Sequence, residues 1–504
     1  MIAAKAPVEG TARRLRSILL PGSRGIPFAM DSATDTYAIE DAVDRLLAPS
    51  RPLARRRSQP EVALAADPDV APVPPVEDRI HSDAAFTRIV MIVPRHGGPD
   101  AGALRDRVLA DGARRADHPD DAPHMTSGAG ALGRWSVQAG ADGAARAAFV
   151  EVLDWRDLAD DALPDAVRRG YGVLARTAWT YLSTGAIGRL MRLSRRATLA
   201  AISRGGILAL QAVLALFVGV VGGRTIASVL TEGTGALGLP DWPANFIAGF
   251  AGTSAVALVL RLFRAREDRL RAYDRLRGLA YLASANGAYP AELEERIAAF
   301  GRRIGWALRQ PVDEVLVVGH GDGAGPAVSA VAEAVRWGDL PDGAPALSLL
   351  TLGHQIPLAG FLPKAARLRA DLRDVSLRGD ICWVDVSDPA DAHAFALCDP
   401  VAVCGVALDD RSGPLVIASG FSRRRGEGLR DRIADHPLGV HDHYFDAPAG
   451  NATDYDWLRV LLGPLPLRTL LGGRPPAAGR IDVRASGYAS TARPRPEPED
   501  DDED

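Results

Sequence analysis

The stretch DEVLVVGHGDGAG, residues 313–325, joins an apolar run to a turn that contains four glycines. Residues 315–318 are apolar without polar alternation, which is typical of a central parallel strand buried on both faces. The apolar residues from 324 to about 337 then predict a helix. A buried strand, a sharp turn and a helix indicate an α/β domain, and this unit guides the interpretation of the rest of the chain.

The glycine-rich turn fits two chemical patterns, and a turn with no chemical role is the third alternative. In a nucleophile elbow, G-x-S-x-G, small flanking residues permit a strained turn that exposes a central serine. Gly319 and Gly323 match the flanks and His320 precedes the centre, but the centre is Gly321. In a dinucleotide-binding turn, Gly319-x-Gly321-x-x-Ala324 would cradle a pyrophosphate. That pattern needs an acidic residue about 20 positions later, and the next predicted strand, ALSLLTLG, ends without one.

Further strands and helices alternate on both sides of this unit. The sequence predicts additional strands at residues 87–94, 133–137, 148–153, 346–353, 380–386 and 415–419. It predicts additional helices at residues 163–200, 264–285, 291–308 and 364–375. Strands that alternate with helices across short loops predict an α/β fold with a doubly wound, mostly parallel sheet.

An oxyanion site would belong beside the elbow. His96 and Gly97 follow the first predicted strand, where an HGGG-type loop donates backbone N–H groups to an oxyanion. The amide of Asp322, directly after the elbow centre, is the second predicted donor. The alternatives are an ordinary glycine turn at residues 96–98 and a role for Asp322 as a shifted nucleophile. The bulk of His320, two residues before Asp322, disfavours the shifted nucleophile.

The remaining members of a Ser…Asp…His triad have candidates in the expected chain order. Asp391, with Asp388 as second choice, follows the strand predicted at residues 380–386, and His441 comes later. Either aspartate would also serve as a helix cap. His441 and His443 are alternatively surface residues or an H-x-H metal pair, for which no third ligand is evident in the sequence. We therefore predict no metal.

Two apolar windows predict a transmembrane hairpin inserted in the α/β domain. Residues 205–223 and 242–260 each form a run of 19 residues without charge. At about 1.5 Å per residue each helix would span about 28 Å, close to the roughly 30 Å of a bilayer core. The alternative is a pair of buried core helices. Small residues four apart, Gly219 and Gly223 in one window and Ala248 and Gly252 in the other, favour close packing of the two helices.

Arginine is distributed unevenly around the two windows. Five arginines precede the first window and five follow the second, whereas the 18 residues between the windows contain only Arg224. The positive-inside rule then places both outer flanks, the α/β domain and both termini in the cytoplasm and residues 224–241 outside. The sequence thus predicts an integral membrane protein whose α/β domain faces the cytoplasm.

Taken in order, several segments resemble a bacterial group of membrane-anchored, lipase-like proteins with the α/β-hydrolase fold. The resemblance rests on EVLDWRDL, DEVLVVGHGDGAG, LSLLTLGHQIP, ICWVDVSDPADAHAFALCDPVAV and HDHYFDAPAGNATDYDW, and covers roughly residues 86–470. Relatives of this type look like serine hydrolases that act on ester or acyl substrates. The resemblance implies that Asp391 is the acid and His441 the base of the triad. It also implies that Gly321 occupies the position of the nucleophile, and the first loop, residues 94–97, departs from the Gly-Phe-Asp-type turn of such relatives.

Glycine has no side chain with which to form an acyl-enzyme, so the sequence predicts an impaired enzyme that binds a lipid, an acyl group or a protein partner. The alternative is an unusual ester hydrolase in which Asp391 and His441 activate a water. No cofactor is predicted. A net charge of −4, from 59 Lys and Arg against 63 Asp and Glu, argues against nucleic acid as a partner.

The predicted organisation has five parts. A largely disordered, proline-rich extension covers residues 1–85, and a disordered acidic tail covers residues 476–504. Residues 86–200 and 265–475 form the α/β domain, which residues 201–264 interrupt as the hairpin. Three cysteines are too few for a disulfide-stapled secreted scaffold and suit a reducing compartment.

Overall fold

The structure is a computed structural model. It describes residues 85–493, except for 117–121, 131–132, 141–144, 162–166, 265–271, 337–339, 341–342, 422–438 and 447–454. The predicted N-terminal extension lies outside the described residues apart from Ala85, and so do the last eleven residues of the predicted tail, 494–504.

Eight strands of the described chain form a single mixed sheet. They are β1 (Phe86–Val93), β2 (His124–Gly130), β3 (Arg134–Ala139), β4 (Arg146–Val152), β5 (Glu314–His320), β6 (Ala346–Leu352), β7 (Cys382–Ser387) and β8 (Leu415–Ala418). Their order across the sheet is β2-β3-β4-β1-β5-β6-β7-β8. Every neighbouring pair from β4 to β8 is parallel, and β3 is antiparallel to both of its neighbours. The mostly parallel α/β sheet is confirmed, whereas β2 was not predicted.

Helices cover both faces of the sheet. The described helices are α1 (Ala101–Arg115), α2 (Arg156–Asp161), α3 (Val167–Ser183), α4 (Ala186–Leu193), α5 (Arg195–Ala236), α6 (Trp242–Arg264), α7 (Ala272–Ala283), α8 (Ala291–Ala307), α9 (Ala324–Val335), α10 (Ile356–Gly360), α11 (Ala366–Ser376), α12 (Pro400–Val403), α13 (Gly439–Asp442), α14 (Trp457–Leu462) and α15 (Leu467–Leu470). Alternate residues of β1 enter two separate cores, one with α8, α9 and α11 and the other with α1 and α14. Burial on both faces explains why the central strands are apolar throughout.

β5 is the central strand that the sequence predicts, and all seven of its residues are buried between β1 and β6. Two glycines let neighbouring elements approach its end. A Cβ at Gly319 would lie 2.7 Å from both Ala324 Cα and Ala327 Cβ, and a Cβ at Gly323 would lie 2.6 Å from the carbonyl oxygen of Val93. Only glycine permits this contact between the end of β1, the end of β5 and the start of α9.

A buried ion pair closes the opposite, amino-terminal edge of the sheet. Arg88 at the start of β1 donates through Nε to Glu314 Oε2 at 3.0 Å and through Nη2 to the Leu465 carbonyl at 2.8 Å. Glu314 also accepts hydrogen bonds from Ser348 Oγ and from the Leu467 amide, each at 2.7 Å. These bonds fix the segment between α14 and α15 at the edge away from the elbow.

Residues 476–493, which the sequence assigns to the disordered tail, pack on the domain. The Asp399 amide donates to the Ile481 carbonyl at 2.8 Å, and Arg369 Nε donates to the Ser490 carbonyl at the same distance. Arg493 forms an ion pair with Asp371 at 3.0 Å. Residues 476–493 therefore belong to the folded part rather than to a disordered tail.

Two helices of the described chain are long and apolar enough to cross a membrane, Gly205–Ala236 and Trp242–Phe263. Only 22% and 11% of their most apolar stretches is buried, unlike the core helices of a soluble protein. The connection between them differs from the prediction. The helix α5 continues to Ala236, so five residues, 237–241, replace the expected loop of 18.

The two helices pack through the small residues that the sequence indicates. A Cβ on Gly252 would lie 2.7 Å from the Gly219 carbonyl oxygen, and a Cβ on Gly223 would lie 3.3 Å from the Ala248 carbonyl oxygen. This backbone-to-backbone approach is the packing that small residues permit between helices in lipid.

We expect Gly252→Ala to lower the melting temperature of the full-length chain in detergent micelles and Gly249→Ala to leave it unchanged or raise it. Both changes gain about 1 kcal/mol of helix propensity. Only the Cβ at position 252 meets a neighbouring backbone, whereas no atom lies within 4 Å of the Cβ position at Gly249. Overpacking costs about 1–3 kcal/mol. Equal melting temperatures by circular dichroism would contradict the packing.

Candidate active site

The predicted elbow is a sharp strand–turn–helix connection. β5 ends at His320, a 3₁₀ turn covers Gly321–Gly323, and α9 begins at Ala324. Gly321 has φ of +58°, in the left-handed region that favours glycine. The turn is tied to the end of the next strand, since the Gln355 amide donates to the Gly321 carbonyl at 2.9 Å. A strained turn of this kind raises its central residue above the edge of the sheet.

The predicted carboxylate–imidazole contact is present, and it involves the first-choice aspartate. His441 Nδ1 lies 2.6 Å from Asp391 Oδ2, and both side chains are buried. Tyr444 donates its hydroxyl to the same oxygen at 3.1 Å. Asp388, the second choice, instead accepts from Ser419 Oγ at 2.6 Å. Because an ionised carboxylate only accepts, the proton of neutral His441 lies on Nδ1 and Nε2 is left as an acceptor.

Asp391 stays ionised over the whole range in which a histidine titrates. Burial by itself would raise the pKa of Asp391. The charge of protonated His441, its hydrogen bond and a 2.8 Å hydrogen bond from the His393 amide outweigh that effect and hold the pKa at about 2. Asp391 therefore fixes the orientation of the His441 ring.

His441 reaches the elbow as predicted, and its Nε2 lies 2.9 Å from the position that a Cβ on Gly321 would take. This buried nitrogen has no hydrogen-bond partner among the described residues. A side chain at position 321 would be crowded, because the Arg95 Cβ also lies 2.9 Å from that position. Arg95 is held there because it donates to Asp442 Oδ1 from Nε at 3.1 Å and from Nη2 at 2.9 Å.

The oxyanion loop lies opposite the elbow as predicted, but one of its donors is already engaged. The His96 amide donates to Asp322 Oδ1 at 2.8 Å. Burial raises the pKa of the Asp322 carboxyl, against the opposing effects of His96 and Arg95. The side chain of Asp322 therefore accepts the hydrogen bond from the His96 amide that we predicted for a substrate oxyanion. Gly97 has φ of +65° and forms the turn of the loop.

His320 packs against His441 and hydrogen-bonds to it. Its ring stacks on the His441 ring with centroids 4.8 Å apart, and its Nε2 donates to the His441 carbonyl at 2.8 Å. Burial, with the nearby charges of His441 and Arg95, lowers the pKa of His320 to about 3. His320 is therefore neutral at physiological pH and acts as a packing partner.

A cavity of about 60 Å³ opens over the His441 ring, which is room for more than one water. Its lining has a polar part and an apolar part, and the apolar part, called the roof here, comes from α5, α7 and α10. The polar residues are Arg95, His96, Asp322, Gln355, His393 and His441, and the roof residues are Ala200, Ala201, Leu279, Leu282 and Leu358. A small cavity lined by both kinds of side chain suits a molecule with a polar end and an apolar body.

The described residues include no group of three or more His, Cys, Asp or Glu side chains that is placed to hold a metal ion. The two histidines of the H-x-H pair face different carboxylates. His441 contacts Asp391, and His443 pairs with Asp446.

Sequence reasoning missed the ion pair of Arg95 with Asp442 and the role of Tyr444. Arg95 and Asp442 are each adjacent in sequence to a predicted site residue, and that adjacency was the available signal. Tyr444 enters the site because Gly353, at the end of β6 with φ of +52°, leaves space for its ring. That space is visible only once Gly353 and Tyr444 are seen packed together in the folded chain.

Comparison of the whole chain with protein-family models, curated proteins and solved structures finds no match. The resemblance to α/β-hydrolases therefore stays a prediction that rests on the ordered sequence motifs.

We expect Gly321→Ala to lower the free energy of unfolding by more than Gly97→Ala. Both glycines have left-handed φ, so each alanine carries about 1–2 kcal/mol of backbone strain. No atom lies within 4 Å of the Cβ position at Gly97, whereas a Cβ on Gly321 meets Arg95 and His441. Overpacking adds about 1–3 kcal/mol. Denaturant unfolding in detergent measures both variants, and equal losses would show that Gly321 is not crowded.

Proposed function

We propose that the chain is a membrane-anchored protein of α/β-hydrolase type that no longer forms an acyl-enzyme and binds a lipid or acyl group at the Asp391–His441 site. One observation carries the proposal. The unpartnered Nε2 of His441 lies 2.9 Å from the Cβ position of Gly321, at the apex of a strained strand-to-helix turn. This is the arrangement of a triad from which the hydroxyl is missing.

Covalent catalysis of the serine type needs an oxygen or sulfur at position 321, and glycine supplies neither. Asp322 does not replace it in this conformation, because its carboxylate accepts a hydrogen bond from the His96 amide. The same hydrogen bond occupies an amide that would otherwise stabilise the oxyanion of a tetrahedral intermediate. Both features favour binding over turnover.

The small volume and mixed lining of the cavity favour an amphiphilic ligand. A volume of about 60 Å³ is far below the roughly 300–1,000 Å³ of a complete ligand pocket. Only the polar end of a ligand fits beside Gln355, His393 and His441, and the apolar remainder would lie along the α5 and α7 roof. An acyl lipid has this form.

The two apolar helices support anchoring in a bilayer. We place the hairpin in the bacterial inner membrane, with the α/β domain on the cytoplasmic side and residues 224–241, which include the end of α5, on the outer side. The support is the arginine asymmetry of the flanks together with the exposed apolar surface of α5 and α6. A bilayer would cover that surface.

A second candidate function is hydrolysis by an activated water, and the open Nε2 of His441 favours it. A water in the cavity would donate to this nitrogen, which takes its proton while Asp391 stabilises the imidazolium. Dinucleotide binding has less support. Protein atoms already fill the space beside Gly319 and Gly323, where the glycines of such a turn would let a pyrophosphate approach.

Wild-type protein will not label with a fluorophosphonate, which reacts with activated serine hydroxyls. Gly321→Ser will label once Arg95 and His441 shift to admit the side chain, and His441→Ala in the same background will abolish the labelling. Gly479→Ser is the control, because that glycine also has positive φ, with no atom within 4 Å of its Cβ position. Labelling of the wild type, or a folded but inert Gly321→Ser, would contradict the elbow assignment.

The two candidate functions differ in their response to His441→Ala. If the site only binds, wild type and His441→Ala hydrolyse p-nitrophenyl esters at the same background rate. If His441 activates water, the wild-type rate exceeds the variant rate by about 10²–10⁴-fold, the usual contribution of a general base. We expect equal rates, measured on short and long acyl esters.

The topology predicts that Glu232→Cys reacts with a membrane-impermeant maleimide in intact spheroplasts. Arg302→Cys on α8 should react only after lysis. The three native thiols, Cys382, Cys398 and Cys404, are buried and give little background. Tagging of position 232 only after lysis would reverse the orientation.

A further inference from the structure

The charged side chains in the segment that leads into the first apolar helix are all positive. Residues 167–204, which form α3, α4 and the first turns of α5, contain eight arginines and no lysine, aspartate or glutamate. Clusters of four to eight basic residues directly on the cytoplasmic side of a membrane helix attract anionic lipids. The composition alone thus points to an anionic surface as partner.

The fold brings this segment to the level at which the apolar span begins. Leu174 on α3 lies 3.0 Å, through its Cδ1, from the Cβ position of Gly205, the first residue of the apolar span. A third helix therefore rests against the boundary of the span. If the span crosses a bilayer from Gly205, charges at this level lie near the leaflet surface, where attraction to anionic lipids acts over a Debye length of about 8 Å.

One face of α3 packs on the domain and the other is exposed. Thr177, Thr180 and Tyr181 are buried, and the Tyr181 hydroxyl donates to the Leu358 carbonyl at 2.8 Å. On the outer side Trp179 is 70% exposed and Leu182 is 60% exposed. A tryptophan on an otherwise basic surface suits the interface between headgroups and acyl chains.

The exposed cations and apolar side chains continue onto α4 and α5. Arg192, Arg195 and Arg196 are exposed, and Leu199, one turn after Arg195, is 51% exposed. Guanidinium groups bind phosphate oxygens in pairs, while their aliphatic stems lie along apolar surface. Apolar anchors among arginines match a leaflet of anionic phospholipid.

We propose that the face formed by α3, α4 and the first turns of α5, the basic face, binds the headgroups of anionic phospholipids in the cytoplasmic leaflet. Trp179, Leu182 and Leu199 insert among the upper acyl carbons, and Arg192, Arg195 and Arg196 pair with lipid phosphates. The inference rests on the proposed membrane anchoring and adds the lipid class and the contacting residues. Since the basic face continues directly into the apolar span, any other occupant would compete with the headgroups around it.

The basic face also sets where the candidate site lies. Ala200 and Ala201 line the cavity over His441 and lie on the same helix as Arg195 and Arg196. Ala201 precedes Gly205 by four residues, about 6 Å along the helix. Headgroup binding would therefore hold the cavity at the leaflet surface, within reach of a lipid.

Depth-dependent quenching of the full-length chain in nanodiscs tests the contact. Trp179→Cys carries a bimane label, and phosphatidylcholine spin-labelled near the headgroup is the quencher. Leu465→Cys is the control, since the Leu465 carbonyl binds Arg88 at the opposite edge of the sheet. Phe217→Cys, within the apolar span, reports anchoring by a deeper spin label. We expect quenching at 179 and 217 and none at 465.

The quenching separates this inference from the anchoring on which it rests. Quenching at 217 without quenching at 179 overturns the basic face and leaves the anchor intact. Absence of quenching at both positions overturns the anchor as well. Quenching at 465 equal to that at 179 shows that the domain has no preferred face toward the membrane, which also refutes the proposal.

Lipid selectivity tests the charge. Mass spectrometry measures the lipids that remain with the protein released from nanodiscs of equal phosphatidylglycerol and phosphatidylcholine. We expect phosphatidylglycerol to be enriched. The triple variant Arg192→Gln, Arg195→Gln, Arg196→Gln should lose up to about fivefold in relative affinity per arginine, from about 1 kcal/mol each.

The matched control removes three arginines near the opposite edge of the sheet, Arg309→Gln, Arg378→Gln and Arg468→Gln. It should keep the wild-type lipid ratio. No enrichment in the wild type, or the same loss in both triple variants, would overturn the proposal.

Discussion

The site depends on one steric constraint, the close approach of two strand ends and a helix start that glycine alone permits. With no Cβ on Gly323, the carbonyl oxygen of Val93 at the end of β1 comes within 2.6 Å of the position that a side chain would fill. The loop after β1 is thereby set against the turn after β5. Arg95 then covers Gly321, and the His96 amide meets Asp322. A methyl group at either Gly319 or Gly323 would separate these elements and the groups that they carry.

The same edge of the sheet carries a buried electrostatic arrangement around Asp391 and His441. Asp391, kept ionised by His441 and by two further hydrogen bonds, orients an imidazole whose other nitrogen faces Gly321. A buried, unpartnered nitrogen costs about 1–3 kcal/mol, a cost that native proteins tolerate mainly where a ligand or water completes the bond. Asp322 then adds a second carboxylate where an acyl-transfer enzyme would keep its donors open. The site therefore holds an oriented imidazole, and the residue that faces it, Gly321, has no side chain.

A single helix connects this site to the apolar hairpin. α5 begins with the basic face, contributes Ala200 and Ala201 to the cavity roof, and continues through the apolar span to Ala236. Leu358 extends the connection, because it lines the cavity and its carbonyl accepts the Tyr181 hydroxyl of α3. A change in the position of α3 or α5 at a membrane would thus move the residues that form the roof of the cavity.

Sequence patterns were sufficient to predict the α/β class, the central strand at β5, the sharp turn after it, the two apolar helices and the contact between Asp391 and His441. These follow from local hydrophobic periodicity, from glycine at a turn and from the order of polar residues after strands. The folded chain added that β2 joins the sheet edge, that residues 476–493 pack on the domain, and that α5 continues to Ala236. It also decided that Arg95 fills the space above Gly321 and that Asp322 takes the His96 amide. Both contacts join segments more than 200 residues apart, and no local pattern encodes which atoms meet across that separation.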